Sequence, residues 1–187
     1  MKKMSKLIVV GFLSTISGLA FAETGRSVFT PTKKAEGNAE QKPSIGLSAG
    51  LANPSESQNS TMNYSLEYGI QPVIPFSVGA KLSSFAAPGS GNNASLTRTS
   101  LLLTGDYNFG GDIAVIKNSY VGLEVGPVLD NIRNSATVDL GIAPRIGFDI
   151  PLGAVKKYSL GAVADYLFVG GAKTNVFSLN GIVKYWF

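Results

Sequence analysis

The last twelve residues of the chain, 176–187, alternate between apolar and mostly polar side chains. The odd positions from Phe177 to Phe187 hold aromatic, aliphatic or glycine residues, whereas Ser178, Asn180 and Lys184 lie among the even positions. A strand of this length crosses a bilayer when it is tilted. It cannot do so alone, because every backbone N–H and C=O group in hydrocarbon needs a hydrogen-bond partner. The segment therefore predicts a closed β-barrel that spans a membrane.

The same alternation recurs from Pro43 onward, in segments that are separated by turn-forming residues. The segments lie at 44–51, 64–71, 76–83, 101–109, 121–127, 138–150, 158–166 and 176–187. We therefore predict an all-β fold, an eight-stranded antiparallel up-and-down transmembrane β-barrel. Outer loops are expected near 52–62, 86–97, 129–136 and 169–175, and inner turns near 71–75, 110–118 and 151–156. Pro144 cannot donate to a strand ladder, so a bulge or local disruption is expected in the sixth strand.

A soluble barrel with its apolar face inward is the alternative explanation of this pattern. The opposite face is rich in glycine and serine, which suit the narrow lumen of an eight-stranded barrel better than a water-facing exterior. Aromatic residues also concentrate near the strand ends, as expected for two membrane interfaces. The expected inner girdle holds Phe76, Tyr107, Phe109, Tyr120, Phe148, Tyr158, Tyr185 and Phe187, and the outer girdle holds Tyr64, Phe85, Tyr166, Phe168 and Phe177. The pattern favours an apolar face that contacts lipid.

The first 22 residues have the three parts of a secretory signal peptide. Lysines come first, an apolar stretch follows, and Ala20-Phe21-Ala22 matches a small-x-small cleavage site. An uncleaved anchor helix is the alternative, but the apolar stretch is short for a membrane span. We expect export with cleavage after Ala22, a flexible periplasmic leader over 23–42 and the barrel over 43–187.

Composition excludes several classes of function. The chain has no cysteine and no histidine, so it lacks thiolate metal ligands, thiol nucleophiles and the commonest general base. Removal of the first 22 residues would leave 13 basic and 12 acidic residues, and this balance predicts no nucleic-acid partner. We expect a protein that is not an enzyme, with no catalytic site, no metal site and no cofactor.

The closing Phe187, with Tyr185 and further apolar residues at alternate positions before it, resembles the C-terminal signal of bacterial outer-membrane barrels. Over nearly the whole of 43–187 the chain resembles the small eight-stranded outer-membrane β-barrels of the OmpA-domain and OmpX type. The resemblance implies a Gram-negative cell and a location in the outer membrane, among its lipids and lipopolysaccharide. It also implies that the barrel-assembly machinery contacts the C-terminal strand, with Tyr185 and Phe187 as the assembly signal.

Charged residues on the predicted inward face form a candidate network. They are Glu67, Lys81, Asp106, Glu124, Asp139, Arg145, Asp149, Asp165 and Lys184. Unpaired charges are costly in a confined lumen, so these groups should pair with one another, and Arg145 and Lys184 are the expected cationic centre. A salt-bridged core that holds the barrel together is the favoured interpretation, and an ion or proton path is the alternative.

The predicted function is a structural or surface-interaction role in the cell envelope. A narrow, porin-like pore for small solutes or ions is the alternative, because many predicted lumen positions are glycine. Arg98, Arg133 and Lys173 lie near the predicted outer rim and are candidate contacts for lipopolysaccharide phosphates. The outer loops are rich in serine, asparagine and glycine, as expected for solvated caps or for contact with an unidentified surface partner.

Overall fold

The computed structural model of this 187-residue chain describes residues 43–55, 59–73, 75–88, 95–109, 119–132, 135–152, 157–171 and 174–187. These residues form eight strands: β1 Ser44–Pro54, β2 Thr61–Val73, β3 Phe76–Ala87, β4 Leu96–Asn108, β5 Ser119–Ile132, β6 Ser135–Leu152, β7 Tyr158–Val169 and β8 Val176–Trp186. Within the described ranges no helix has the length and apolar character that crossing a membrane requires. The predicted leader segments, 1–22 and 23–42, lie outside the described residues.

The eight strands form one closed antiparallel sheet in chain order. Closure occurs between the first and last strands, whose paired register runs from Ser44 opposite Trp186 to Pro54 opposite Val176. We call the end that contains Ser44 and Phe187 the inner end, and the opposite end the outer end. The predicted fold class, with both ends of the barrel wall at one side, is confirmed.

The apolar face points outward and the charged face points into the lumen. Leu47, Leu103 and Val138 are 67%, 65% and 67% exposed, whereas Glu124 and Arg145 are 0% and 2% exposed. A soluble barrel would show the reverse, because apolar burial drives its folding. The band of exposed apolar side chains is typical of a barrel that faces hydrocarbon. The prediction of a transmembrane barrel is therefore confirmed.

The strands extend further toward the outer end than the apolar pattern predicted. β6 spans 18 residues, and only residues 133–134 separate it from β5. β4 begins at Leu96, within the segment 86–97 that was expected to be an outer loop. The outward positions at this end of β4 include the polar residues Thr97 and Thr99. Backbone ladder hydrogen bonds do not require apolar side chains, so hydrophobic periodicity underestimated the strand lengths.

Pro144 interrupts one ladder but shifts no register. On the β5 side Pro144 pairs with Leu123 in an unbroken register. On the β7 side the pairing stops after Ile142 and resumes at Arg145 in the same register. The predicted local disruption is therefore present without a bulge, and a register shift occurs instead at the end of β2.

Aromatic rings gather at the inner end as predicted. Tyr107 makes edge contacts with Phe76 and Phe109, with ring centroids 5.4 and 5.6 Å apart, and Tyr185 contacts Phe187 at 5.1 Å. Two members of the predicted girdles were assigned wrongly. Phe85 and Tyr120 are 7% and 2% exposed and point into the lumen.

We expect the folded barrel to show heat-modifiable migration on a denaturing gel. A closed ladder without free strand edges should resist detergent at room temperature, so the unheated protein should run faster than the boiled protein. Comparison of the two samples of purified protein in one gel checks this. Identical migration in both samples would argue against a closed barrel.

Candidate functional site

The inward faces of the strands bring eight of the nine predicted charged residues into one group, which we call the lumen charge cluster. Its members are Glu67, Lys81, Asp106, Glu124, Arg145, Asp149, Asp165 and Lys184. The ninth residue, Asp139, is half-buried near the outer end of β6, opposite Val128.

Arg145 on β6 is the centre of the cluster. Its Nη1 donates to Glu124 Oε1 at 2.9 Å, and its Nη2 donates to both carboxylate oxygens of Glu67 at 3.1 and 3.2 Å. Its Nε lies 3.1 Å from Asp106 Oδ1. Three carboxylates from β2, β4 and β5 therefore surround one guanidinium, whose planar fork of donors suits several acceptors at once.

Glu124 connects this centre to a second cation. Lys81 Nζ donates to Glu124 Oε1 and Oε2 at 2.9 and 3.0 Å and to Asp165 Oδ2 at 2.8 Å. Glu124 is fully buried, and Lys81 is 2% exposed. Since Lys81 lies on β3 and Asp165 on β7, these contacts cross the bore between strands that are not neighbours in the sheet.

Tyr120 separates two cations at the inner side of the cluster. Its ring lies 5.1 Å from the Arg145 guanidinium carbon and 5.0 Å from Lys184 Nζ, within the range of cation–π attraction. Lys184 Nζ also donates to Asp149 Oδ2 at 2.7 Å. The ring packs over Gly147, where a Cβ atom would lie 2.5 Å from the tyrosine, so only glycine fits beneath it.

The prediction that Arg98 contacts lipopolysaccharide is wrong in this structure. Arg98 is 1% exposed and points into the lumen, where its Nε and Nη2 donate to the two carboxylate oxygens of Asp130 at 2.6 and 2.7 Å. Its Nη1 donates to the carbonyl oxygen of Thr174 at 2.7 Å. A guanidinium that is enclosed and satisfied in this way does not reach lipid phosphates outside the barrel.

Alternation alone could have located this pair. On β4 the even positions, which include Asp106, face the lumen, and Arg98 shares their parity. Tyr120 and Asp130 share the parity of Glu124 on β5. The predicted fourth strand began too late to include Arg98, and the predicted fifth strand began too late for Tyr120 and ended too early for Asp130.

Toward the outer end, around Arg98, apolar side chains contribute to the filling of the bore. The buried cluster toward the outer end contains Ala52, Phe85, Ala87, Leu96, Leu102, Val128, Ala143, Leu167, Val169 and Val176. The prediction of a lumen that is lined by small and ionic residues alone was therefore incomplete. Large aliphatic and aromatic side chains occupy its outer half.

Two small lumen cavities flank the central ion pairs. The outer one has a volume of about 10 Å³ and is lined by Asn63, Lys81 and Arg98 among others. The inner one has about 40 Å³ and is lined by Asp106, Asp149 and others. A water molecule needs about 10–15 Å³, so these volumes correspond to about one to three water molecules.

Two of the glycines that were predicted to line the lumen lie tightly against neighbouring groups. At Gly122 an added Cβ would collide with the Asp106 carboxylate, and at Gly126 it would collide with the Leu101 carbonyl. Neighbouring groups therefore already occupy the space that a side chain would take at these two positions.

The remaining predicted site residues lie elsewhere. Arg133 and Lys173 lie outside the described residues. Phe187 is 63% exposed at the inner end, and Tyr185 beside it is half-buried between Phe187 and Tyr158.

We expect Arg145→Leu to destabilise the barrel strongly. Loss of the guanidinium leaves Glu67 and Asp106 buried without their nearest cation and Glu124 with Lys81 alone, and removal of one partner of a buried ion pair typically costs about 3–5 kcal/mol. Urea unfolding of the refolded protein in micelles, followed by the fluorescence of Trp186, the sole tryptophan, measures the effect.

A second variant tests the electrostatic cause. Adding Asp106→Asn to Arg145→Leu removes one unmatched charge and should recover part of the lost stability. Asp106→Asn alone supplies the fourth corner of the double-mutant cycle. An unchanged unfolding midpoint in Arg145→Leu would contradict a paired core.

No protein-family model matches the chain, and no curated protein matches it in sequence. Solved structures do match. Neisserial surface protein A is 13% identical with a TM-score of 0.60, and the match covers 78% of this chain and 96% of that one. Ail, the attachment invasion locus protein of Yersinia pestis, is 10% identical with a TM-score of 0.54 over 79% and 99% of the two chains. Ail in complex with the heparin analogue sucrose octasulfate matches similarly, at 10% identity and a TM-score of 0.53 over 79% and 97%.

At these sequence identities the matches show a shared fold and no more specific similarity. The shared feature is the closed antiparallel sheet of eight strands, which accounts for nearly the full length of the matched chains. This chain therefore has the fold of the small eight-stranded outer-membrane β-barrels.

Proposed function

We propose that this protein is a closed, non-enzymatic barrel of the outer membrane that acts through its surfaces, as a structural or surface-contact protein of the cell envelope. The observation that carries the proposal is the filled lumen. Lys81 with Asp165 joins β3 to β7, and Arg145 with Glu67 joins β6 to β2, so ion pairs cross the bore between strands that are not neighbours. Nearer the outer end, Arg98 donates to the carbonyl oxygen of Thr174.

The outer membrane is the proposed location because of the strands. Backbone groups in hydrocarbon must be satisfied, and a closed sheet of tilted strands achieves this in a bacterial outer membrane. The similar structures include a Neisserial surface protein and an attachment protein, which supports the same location here. The predicted signal peptide supplies the export that this location needs.

A role in catalysis has little support from the lumen. Its carboxylates are engaged by cations, and the adjacent cavities hold only a few waters. General acid–base chemistry requires a substrate atom within hydrogen-bond reach of the catalytic group. We therefore assign the lumen charge cluster a structural role, which is to hold strands from all sides of the barrel together.

Contacts with partners are proposed at the two ends. Ail has been crystallised with a sulfated heparin analogue, which makes a polyanion a reasonable class of ligand for the outer end of this barrel. Arg133 and Lys173 remain our candidates for anionic groups there, with lipopolysaccharide phosphates as the ligand. At the inner end, Tyr185 and Phe187 remain the proposed signal for the barrel-assembly machinery.

We expect no channel activity from the purified protein. The ion pairs that cross the bore and the apolar side chains of its outer half should leave no continuous water path, so we expect a planar bilayer that contains the protein to show no reproducible conductance steps. Protein from the same preparation that shows heat-modifiable migration serves as the control for correct folding. Stable unitary steps would instead favour the narrow-pore alternative.

We expect Arg133→Ala/Lys173→Ala to reduce the lipopolysaccharide that co-purifies with the barrel. Each lost charge removes a potential partner for a phosphate, whereas Lys157→Ala, which removes an exposed lysine at the inner end, should change nothing. Quantification of lipid A per mole of protein measures the effect. Equal amounts in all three proteins would remove this part of the proposal.

A further inference from the structure

Arg98, Asp130 and Thr174 make a contact across the outer end of the barrel, which we call the outer anchor. Arg98 lies on β4 and Asp130 on β5, whereas Thr174 lies in the connection between β7 and β8. Three strands separate β4 from β8 in either direction around the closed sheet. The outer anchor therefore joins β4 and β5 to the opposite side of the barrel wall.

The guanidinium of Arg98 divides its donors between two acceptors. Asp130 accepts from Nε and Nη2, at 2.6 and 2.7 Å, and this bidentate geometry fixes the plane of the guanidinium. Nη1 remains outside this pair and donates to the carbonyl oxygen of Thr174 at 2.7 Å. The ring of Phe85 lies 5.9 Å from the guanidinium carbon and adds a cation–π contact.

The ion pair of Arg98 and Asp130 does not by itself account for the contact with Thr174. One guanidinium and one carboxylate already balance in charge, and both side chains are 1% exposed. An uncharged backbone carbonyl does not alter that balance. What the additional hydrogen bond supplies is a fixed distance between Arg98 and the backbone of the β7–β8 connection.

The described ends of the β7–β8 connection are also bound to neighbouring strands. Ser55 N–H donates to the carbonyl oxygen of Asn175 at 2.8 Å, and Val169 N–H donates to Asn175 Oδ1 at 3.2 Å. Gly170 N–H donates to the carbonyl oxygen of Leu140 at 3.0 Å. These contacts come from strands beside the connection, and the outer anchor adds one from across the bore.

We propose that Arg98 is a positioning residue that holds the β7–β8 connection in one place at the outer end of the barrel. The inference deepens the surface-contact role proposed above, on which its functional meaning rests. A segment that is already fixed loses less conformational freedom when it meets a partner, so it binds more tightly than a mobile segment with the same side chains. A guanidinium is required rather than a positive charge alone, because its fork of donors engages Asp130 and Thr174 at once.

Amide hydrogen exchange of the refolded protein in micelles, resolved by residue with NMR, tests the proposal. Ser55 and Val169 are the reporters, because their N–H groups donate to Asn175 at the end of the connection. Phe109 is the reference, because its N–H group donates to the carbonyl oxygen of Ser119 at 2.9 Å, at the inner end of the barrel.

The double variant Arg98→Met/Asp130→Asn removes the outer anchor. It leaves no unmatched buried charge, since both charges of the pair are lost together. We expect hydrogen exchange at Ser55 and Val169 to become about tenfold faster, because local opening of the connection becomes easier. Exchange at Phe109 should stay unchanged.

Lys184→Met/Asp149→Asn is the matched control. It removes another ion pair of the lumen, with an N–O distance of 2.7 Å, at the inner side of the lumen charge cluster. Since this pair lies away from the β7–β8 connection, exchange at Ser55 and Val169 should stay as in the unmodified protein.

Arg98→Lys tests the need for the fork. The lysine keeps a buried positive charge beside Asp130 but presents one nitrogen in place of three. We expect it to speed exchange at Ser55 and Val169 as the double variant does. It also carries the test if the double variant fails to form a heat-modifiable barrel.

Three results would overturn the proposal. Unchanged exchange at both reporters in Arg98→Met/Asp130→Asn would mean that the connection is held without the outer anchor. Equal acceleration in Lys184→Met/Asp149→Asn would assign the effect to general loosening of the barrel. Unmodified exchange in Arg98→Lys would mean that a charge alone suffices. Because exchange is measured without any partner, failure of the outer anchor is distinguished from failure of the surface-contact role, which the lipid A measurement tests.

Discussion

The pairing of β1 with β8 is the interaction on which the rest of the structure depends. A sheet in hydrocarbon cannot leave an edge of unpaired N–H and C=O groups, since each such group costs several kcal/mol. Register from Ser44 opposite Trp186 to Pro54 opposite Val176 removes both edges over the full length of β1. Once the sheet is closed, the side chain of each strand residue points either to lipid or into the lumen. Whether the residue has an odd or an even position along its strand decides between the two.

Closure at eight strands then determines what the lumen can contain. A bore of this size is just wide enough for side chains to fill, so charges placed inside it have little water to solvate them. The structure resolves this by mutual pairing: Glu124 accepts from Arg145 and Lys81 together, and Tyr120 offers its ring to Arg145 and Lys184. Ion pairs between distant strands, such as Lys81 with Asp165 and Arg145 with Glu67, cross the bore, so the contacts that pair the buried charges also fill part of the lumen.

Parity explains how much of the site the sequence could predict. Strand number, facing direction and the membership of the charge cluster all follow from period-two alternation, and Glu67, Lys81 and Arg145 were placed correctly in the lumen by it. Arg98, Phe85 and Tyr120 were misplaced because the ends of their strands were judged by hydrophobicity and distance to the rim. Extending each strand by its own alternation would have turned all three inward.

Pairing between strands is the part that alternation cannot supply. Whether Lys81 meets Glu124 or another carboxylate depends on the register between strands and on reach across the bore, and the spacing within one strand contains neither. Contacts that require strands to be aligned, such as those of Lys81 with Glu124 and Asp165, are therefore visible in the folded barrel alone.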